Sequence, residues 1–331
     1  MNDDYERLFN RILDVTACIS IPVKLFAMTV VVLSTKSGQF HYSIIMLNII
    51  FWNFMANLIF AFMHLYPTFP AQCLRLDGPL SNFTDDENFG RILLVAFFVC
   101  IFNTSLALAS SFPYRYSTFV HPDLVSKVKP KWMYLLCVSI TSVLYAVGVW
   151  THWMWSESYE SNPEPWDLPE RSLLLCYKPH GFWKFATIMY LFGMFGIFIA
   201  LGIPCSILLL RAFYSSRSVT SITRYSQATI EMQKKAFWNL VILTSIVVIL
   251  GAIPFFIVFT TVLFPHLPYA KPVALISIVV VSNHGTIYAI TTITLNGSHR
   301  KMSRRLFSNV WNALFKKSNS VRVFTYRNAQ K

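Results

Sequence analysis

Residues 236–264 read AFWNLVILTSIVVILGAIPFFIVFTTVLF, and no charged side chain interrupts them. The hydrocarbon core of a membrane is about 30 Å thick, so a helix rising about 1.5 Å per residue needs roughly 20 apolar residues to cross it. Lipid offers the backbone no hydrogen-bond partners, which leaves only helices and closed barrels as spanning structures. This run lacks the alternation of barrel strands. It therefore predicts a transmembrane helix.

Six other runs of the sequence have the same character, and the composition agrees with them. Hydrophobic residues make up 55% of the 331 residues and charged residues only 13%, against about 25% charged in a soluble domain. We expect an all-α membrane protein, with a seven-helix bundle over residues 1–295 and a tail over 296–331. The predicted spans are Ile12–Leu33, Ser43–Leu65, Ile92–Phe112, Trp132–Trp153, Phe185–Leu210, Ala236–Phe264 and Pro272–Leu295.

The distribution of charge between the spans predicts their orientation. If the N-terminus is outside, the inner segments carry most of the 28 Lys and Arg residues, and the outer segments carry most of the 15 Asp and Glu residues. Basic loops remain in the cytosol, so the N-terminus is predicted outside and the C-terminus inside. We therefore expect the net charge of +13 to attract the inner segments to the anionic inner leaflet. We expect no nucleic-acid partner.

Two features of the predicted outer loops are candidates for covalent modification. Cys73 and Cys176 are the two cysteines outside the spans. They could form a disulfide in the oxidising compartment, or they could be unrelated free thiols. Asn82 begins the sequon Asn-Phe-Thr, which predicts glycosylation if this loop is extracellular.

Basic residues at the inner ends of the spans are candidates for contact with a cytosolic partner. Arg115 and Tyr116 follow the third span, where a basic residue beside interfacial aromatics is also common without any such role. The loop before the sixth span is basic and suits either an acidic partner or lipid headgroups. Its candidates are Arg224, Lys234 and Lys235.

The segment after the seventh span has the pattern of a helix that lies on a membrane surface. Met302, Leu306, Val310 and Leu314 recur at helical spacing, and Lys and Arg fill the positions between them. Such a basic amphipathic helix is expected on the inner leaflet.

The lack of acidic residues in most of the spans argues against catalysis and ion-coupled transport. No Asp or Glu lies in the second to seventh spans, and no metal-binding cluster, nucleophile elbow or phosphate loop occurs. We therefore expect no enzyme, metal or cofactor. Lys24 either reaches the membrane surface or meets Asn48, Asn53 or Asn57 of the second span, and we expect an interhelical hydrogen bond for His284.

Several short motifs, in their order along the chain, resemble the nematode serpentine chemoreceptors, and the class H group most of all. The resemblance spans nearly the whole chain. Pro113 and Tyr114 depart from it, because acidic or amide residues are expected before Arg115. The motifs are Met46-Leu47-Asn48-Ile49-Ile50-Phe51-Trp52, Tyr66-Pro67-Thr68-Phe69-Pro70, Thr229-Ile230-Glu231-Met232-Gln233-Lys234-Lys235, Ile253-Pro254 and His284-Gly285.

This resemblance implies a G-protein-coupled chemosensory receptor in the plasma membrane of a sensory neuron, placed in the cilium, with a small-molecule ligand and a heterotrimeric G protein as partners. The ligand would enter between the outer halves of the third, fifth, sixth and seventh spans. Since the third span has no acid to hold an amine, we expect a neutral or apolar ligand. The candidate ligand contacts are Phe97, Phe98, Phe255, Phe256, Phe259 and His284.

Two other functions fit a bundle of seven apolar helices. A ligand-gated ion channel of the odorant-receptor type is the first, although the insect channels have the opposite orientation. A small-molecule transporter is the second, but the odd number of spans does not suit an inverted repeat.

Overall fold

A computed structural model describes residues 3–35, 40–69, 72–83, 86–121, 123, 127, 130–157, 173–218, 227–309 and 311–312. The main helices are α1 (Asp3–Ser34), α2 (Phe40–Met63), α3 (Glu87–Val120), α4 (Pro130–Trp155), α5 (Phe182–Ser218), α6 (Gln227–Val247, Val248–Ala252 and Ile253–Leu263 in succession) and α7 (Ala270–Leu295). A further helix, α8, covers 297–309.

The prediction of seven transmembrane helices is confirmed. The described part of the chain contains seven helices long and apolar enough to cross a membrane, one in each of α1 to α7. Below, the outer end is the end of the bundle that carries Asp3, and the inner end is the opposite one, after the orientation predicted from charge. The helices extend beyond the apolar runs, and α3 shows why. Its N-cap Asp86 accepts a hydrogen bond from the backbone N–H of Asn88 (2.9 Å), which starts the helix before the first apolar residue.

Apolar side chains fill the bundle in two principal clusters. The cluster near the inner end joins all the spanning helices except α4 and includes the fully buried Leu108, Leu240 and Tyr288. The cluster near the outer end includes Leu94 and Trp155 and extends into residues outside the helices. The side chains on the outside of the bundle are mostly apolar as well, as expected of helices that are surrounded by protein on one side and by lipid on the other.

A small antiparallel sheet lies at the outer end, and the sequence analysis did not predict it. Its strand order is β1-β2-β4-β3. Cys73 pairs in register with Cys176, and their sulfurs are bonded at 2.06 Å. The disulfide therefore joins the loop after α2 to the loop before α5. The strands are β1 (Leu65–Thr68), β2 (Cys73–Leu76), β3 (Ser156–Glu157) and β4 (Leu173–Tyr177).

The sixth helix contains one π-helical turn, at Val248–Ala252. The backbone N–H of Ile253 donates to the carbonyl of Val248, five residues back instead of four. Pro254 follows at once, and a proline inside a helix removes a hydrogen bond and pushes away the preceding turn. Turns of this kind occur frequently at functional sites.

Candidate ligand-binding site

A cavity of about 190 Å³ lies in the outer half of the bundle, with lining residues from α2 to α7. The side chains around it are mostly apolar or aromatic. For comparison, an engineered apolar cavity of about 150 Å³ in another protein binds benzene. The cavity can therefore hold a small organic molecule without rearrangement.

Four of the five predicted phenylalanines line this cavity, together with His284. They are Phe97, Phe98, Phe255 and Phe259. Phe256 is a correction to the prediction, since it packs against α5 instead. Its ring lies 5.2 Å from that of Phe192 and 4.5 Å from that of Phe195. Phe256 lies on the side of α6 that packs against α5, whereas Phe255, about 100° away around the helix, reaches the cavity.

The aromatic side chains of the cavity wall contact one another. The ring of Phe98 lies 5.9 Å from Phe97, 6.2 Å from Phe255 and 6.1 Å from His152. The contacts with Phe255 and His152 are edge-to-face, an arrangement that aromatic rings prefer. These contacts connect α3 with α4 and α6 around the cavity.

The sheet at the outer end covers the outer side of the cavity. Tyr177 of β4 is a lining residue, and its ring centroid lies 4.5 Å from that of Trp155 at the end of α4. The indole N–H of Trp155 donates to the carbonyl of Lys178 (2.9 Å). Burial raises the pKa of Tyr177, so its phenol stays neutral at physiological pH. Because the disulfide bonds β2 to β4, and β4 carries Tyr177, it fixes one wall of the cavity.

The inner side of the cavity ends at a polar cluster that we define as Lys24, Asn53, Asn57 and His284. The side-chain N–H of Asn53 lies 2.9 Å from Nε2 of His284, and Nδ1 of His284 contacts the carbonyl of Val281. Because the amide nitrogen of Asn53 can only donate, Nε2 accepts and Nδ1 carries the proton. His284 is therefore held as one tautomer. The hydrogen bond between Asn53 and His284 is interhelical, as predicted.

Lys24 lies fully buried within this polar cluster. Its ammonium donates to the backbone carbonyl of Asn53 (3.3 Å), so of the two alternatives it meets the second span and does not reach the surface. Asn57 donates to the carbonyl of Ser282 (3.0 Å). The polar cluster consequently joins α1, α2 and α7 inside the membrane.

Two glycines allow the helices to approach closely at the polar cluster. A Cβ atom on Gly285 would lie 1.6 Å from Oδ1 of Asn53, which is far inside contact distance. A Cβ atom on Gly251, within the π-helical turn, would lie 3.1 Å from Cδ2 of His284. The histidine thus contacts the irregular turn of α6 directly.

Comparison with known proteins identifies the family. The crystal structure of squid rhodopsin superposes with a TM-score of 0.64 at 14% sequence identity, over 95% of this chain and 88% of that one, which shows the fold. No curated protein sequence matches the chain significantly. The sequence model of the family "Serpentine type 7TM GPCR chemoreceptor Srh" matches residues 4–309. The chain belongs to the Srh family of chemoreceptors. The family is nematode, which confirms the resemblance, and its members are G-protein-coupled receptors rather than enzymes.

The residues predicted to contact a G protein lie in different environments of this Srh receptor. Arg115 is half-buried within α3, and Tyr116 packs beside the inner apolar cluster. Lys234 lies 5.3 Å from the ring centroid of Tyr214, and Lys235 is exposed. Arg224 lies outside the described residues.

Aromatic residues at the inner end of the receptor were missed by the sequence analysis. The ring of Phe213 on α5 lies 4.8 Å from Phe119 of α3 and 6.0 Å from Phe237 of α6. These three rings hold together the inner ends of the helices that carry the predicted G-protein contacts. Phe119 and Phe213 lie beyond the ends of the predicted spans, and Phe237 lies in an apolar run whose sequence does not distinguish core residues from those that face lipid.

A charged cluster at the outer end of the receptor was also missed. Arg75 is buried and contacts Glu6 of α1, and it donates to Asp77 (2.7 Å). Burial alone would lower the pKa of Arg75, but the hydrogen bonds to both carboxylates outweigh this and raise it. Its guanidinium also lies 5.0 Å from the ring centroid of Tyr66. Arg75 therefore joins the start of α1 to the sheet.

Asn82, the predicted glycosylation site of the receptor, is exposed in a 3₁₀ turn at the outer end. Its position permits modification, which stays a prediction. The sequon continues into Thr84, which lies outside the described residues.

Proposed function

We propose that this Srh receptor binds a small neutral environmental molecule in the outer cavity and activates a heterotrimeric G protein through the inner ends of its helices. The observation that carries the proposal is the cavity itself, a space of about 190 Å³ among aromatic side chains beneath a disulfide-bonded sheet. Among the described lining residues, none is Asp, Glu, Lys or Arg. A charged ligand would lose its hydration there without direct contact with an oppositely charged side chain, and this favours a neutral one.

The contacts of the sixth helix provide a route from ligand to signal. Phe255 and Phe259 line the cavity just beyond the π-helical turn, and Gly251 within the turn contacts His284. A ligand that binds one packing of these residues more tightly than another shifts the receptor toward that packing. We infer that the bound state differs in the angle of α6 at the π-helical turn.

The inner end is where the proposed G-protein contact forms. In the packing described here, Phe119, Phe213 and Phe237 hold α3, α5 and α6 together. Movement of the inner half of α6 would separate these rings and open a surface next to Arg115 and Lys235. Together with Tyr116, Lys234 and Arg224, these residues form the proposed contact with an acidic or helical segment of the G protein.

The proposed location is the plasma membrane of a sensory neuron, in its cilium. The helix α8 supports placement against the inner leaflet. Arg300 and Arg304 are exposed on it, as is Phe307, and the hydroxyl of Ser298 donates to the carbonyl of Ser34 (3.2 Å). This bond ties the start of α8 to α1, so that its basic and aromatic side chains can meet anionic lipid.

Calcium imaging of cells that express the receptor tests the proposed function. The cells are exposed to a panel of small volatile and water-soluble compounds, and each active compound is tested again with G proteins blocked by a non-hydrolysable GDP analogue. A response that the block abolishes is expected. A response that survives the block would mean that the chain conducts ions itself, as a ligand-gated channel does.

Two neighbouring phenylalanines supply a matched test of the cavity. Phe255→Leu removes an aromatic contact from the cavity wall, and we expect roughly tenfold lower potency of any active compound. Phe256→Leu removes a similar contact with α5 and should leave potency within about twofold of the wild type. Equal loss in both variants would contradict a ligand in this cavity.

A charge reversal tests the proposed G-protein contact separately. Lys235→Glu changes an exposed side chain at the inner end, so ligand binding and expression should be unchanged while G-protein activation falls severalfold. Unchanged activation would remove Lys235 from the contact.

A further inference from the structure

Two polar side chains of α4 reach the cavity without a hydrogen-bond partner. Nε2 of His152 and the hydroxyl of Tyr145 are both buried, and neither has a partner in the structure. His152 as a whole is only 6% exposed. An unsatisfied buried polar group in a native protein is uncommon and calls for an explanation.

The two groups lie on one stripe of the helix. Tyr145, Gly148, Val149 and His152 all line the cavity and follow the i, i+3, i+4, i+7 spacing of a single helix face. Seven residues separate the two polar side chains, which places their Cα atoms about 10 Å apart along the axis. Tyr145 lies at the deeper position and His152 next to the sheet, where its ring is 5.5 Å from that of Tyr177. Between them lie Gly148, against which the phenol of Tyr190 packs, and Val149.

Tyr190 of the facing helix shows that a tyrosine in this cavity can be satisfied by the protein. Its hydroxyl donates to the carbonyl of Leu144 (3.0 Å), and its side chain also lines the cavity. Tyr145 and His152 differ from Tyr190 in this respect; Oδ1 of Asn53, in the polar cluster at the inner side of the cavity, also lacks a partner, but its amide nitrogen is bonded to His284.

We infer that α4 recognises the ligand through these two groups, and that the ligand is a small neutral molecule with a hydroxyl or carbonyl oxygen at each end of an apolar body. This inference rests on the proposed function and specifies its ligand. The hydroxyl of Tyr145 donates to one oxygen. Nε2 of His152 accepts from a hydroxyl or, as the other tautomer, donates to a carbonyl. The apolar body lies against Val149 and the ring of Tyr190, which packs on Gly148.

The energetic reason is the cost of leaving these groups unpaired. A bound hydrocarbon would exclude water from both polar atoms and satisfy neither, whereas a molecule with matching oxygens restores both hydrogen bonds. Sites built to hydrogen-bond a ligand discriminate strongly against analogues that lack the bonding group. Recognition by two groups would also select the length of the ligand.

A matched series of eight-carbon probes tests the inference by direct binding. Octane, 1-octanol and 1,8-octanediol are titrated against the purified full-length receptor in detergent, with the shift in thermal unfolding as the readout. We expect the diol to bind about tenfold more tightly than the alcohol, and the alcohol about tenfold more tightly than octane. Equal affinities across the series, or binding by none of them, would overturn the inference.

Three variants identify the groups responsible. Tyr145→Phe and His152→Leu each remove one polar atom, and in each the diol should bind no more tightly than the alcohol. Tyr190→Phe removes a hydroxyl that is already satisfied, so it should keep the full ratio of diol to alcohol affinity. If Tyr190→Phe lowered this ratio as much as Tyr145→Phe does, the selectivity would not belong to α4.

The binding series and the signalling assay fail independently of each other. Selective binding of the diol without G-protein activation would support recognition by α4 and contradict the proposed function. Activation by alkane, alcohol and diol at equal concentrations would support the proposed function and contradict recognition by α4.

Discussion

The outer end of this receptor has covalent and ionic contacts in addition to its aromatic ones. At the outer end, a disulfide crosses the sheet, and Arg75 joins two carboxylates from separate elements. At the inner end, the aromatic contacts of Phe119, Phe213 and Phe237 connect α3, α5 and α6. Covalent and ionic contacts have strict geometry, whereas apolar rings can repack at small cost. On the proposed function, we expect the inner end to move on activation while the outer end stays fixed.

The polar cluster and the π-helical turn lie between the two ends. The polar cluster joins α1, α2 and α7, and its His284 contacts Gly251 in the π-helical turn of α6. On the proposed function, the outer part of α6 stays with the outer end and its inner part moves with the inner end. Four experiments can break or sharpen this comparison.

The largest expected effect comes from removing the covalent link of the outer end. The disulfide closes a loop of 103 residues. Replacing Cys73 and Cys176 together by Ser is expected to lower the free energy of unfolding by about 4 to 5 kcal/mol, because a loop of roughly this length is no longer constrained in the unfolded chain. The measurement is thermal unfolding of the purified receptor.

Cys137→Ser is the control for this double substitution, since Cys137 is a free, exposed cysteine on α4. It should unfold at the same temperature as the wild type. A double variant as stable as this control would mean that the outer end is not held by the disulfide.

The second effect concerns the close approach of α2 and α7 at the polar cluster. Gly285→Ala would place a methyl group against the side chain of Asn53, and we expect a loss of roughly 1 to 3 kcal/mol from overpacking. Gly196→Ala is the matched control, because no atom lies within 4 Å of its added methyl group. That variant should be as stable as the wild type or slightly more stable, since alanine favours a helix. Similar stabilities would show that α2 can move away without cost.

The third experiment weakens the inner end alone. Phe119→Leu removes one ring contact with Phe213, worth about 1 kcal/mol. If the inner end opens on activation, ligand-independent G-protein signalling should rise by up to about fivefold, because about 1 kcal/mol changes an equilibrium constant by roughly that factor. Signalling per receptor at the cell surface is the quantity to measure. Unchanged basal signalling with lowered stability would assign Phe119 a purely structural role.

The smallest effect is a dependence of the outer end on pH. His64 is buried, and its Nε2 lies 3.6 Å from a carboxylate oxygen of Asp14. Burial lowers the pKa of His64 below its ordinary value of 6.5, although the charges of Asp14 and Asp77 oppose the shift. The unfolded chain therefore takes up a proton first as the pH falls. This contribution to stability is complete above pH 6.5 and declines as the pH falls toward the lowered pKa.

His64→Asn isolates this contribution, since asparagine tolerates the positive φ of 41° at this position. Thermal unfolding of both proteins between pH 5 and pH 8 should show a steeper loss on acidification in the wild type. Parallel curves would exclude a role for His64.

The sequence predicted the parts of this receptor that depend on hydropathy. The spans follow from the length of the apolar runs, whereas the orientation deduced from charge stays a prediction. The strands of the sheet were not predicted, because β1 and β2 are only four residues each and β1 continues the apolar run of α2. Strands this short depend on pairing partners far along the chain, which no local pattern reveals.

The site was predicted only in part, for a related reason. In a helix that is apolar on every face, nothing in the sequence tells Phe255, which lines the cavity, from Phe256, which does not. The same holds for Lys24, whose choice of Asn53 over Asn48 or Asn57 is decided by the packing of α1 on α2. The spacing of Tyr145 and His152 places them on one face of α4, a signal that the sequence analysis did not use.

The π-helical turn also has a consequence for the alignment of sequences. The bond from Ile253 to Val248 encloses one residue more than an α-helical bond does, and each residue turns a helix by about 100°. An alignment of α6 with a regular helix therefore needs a one-residue gap near Gly251. Without that gap, every position beyond the turn would be compared with a residue on the wrong face, and mutational results transferred from one receptor to another would point away from the cavity.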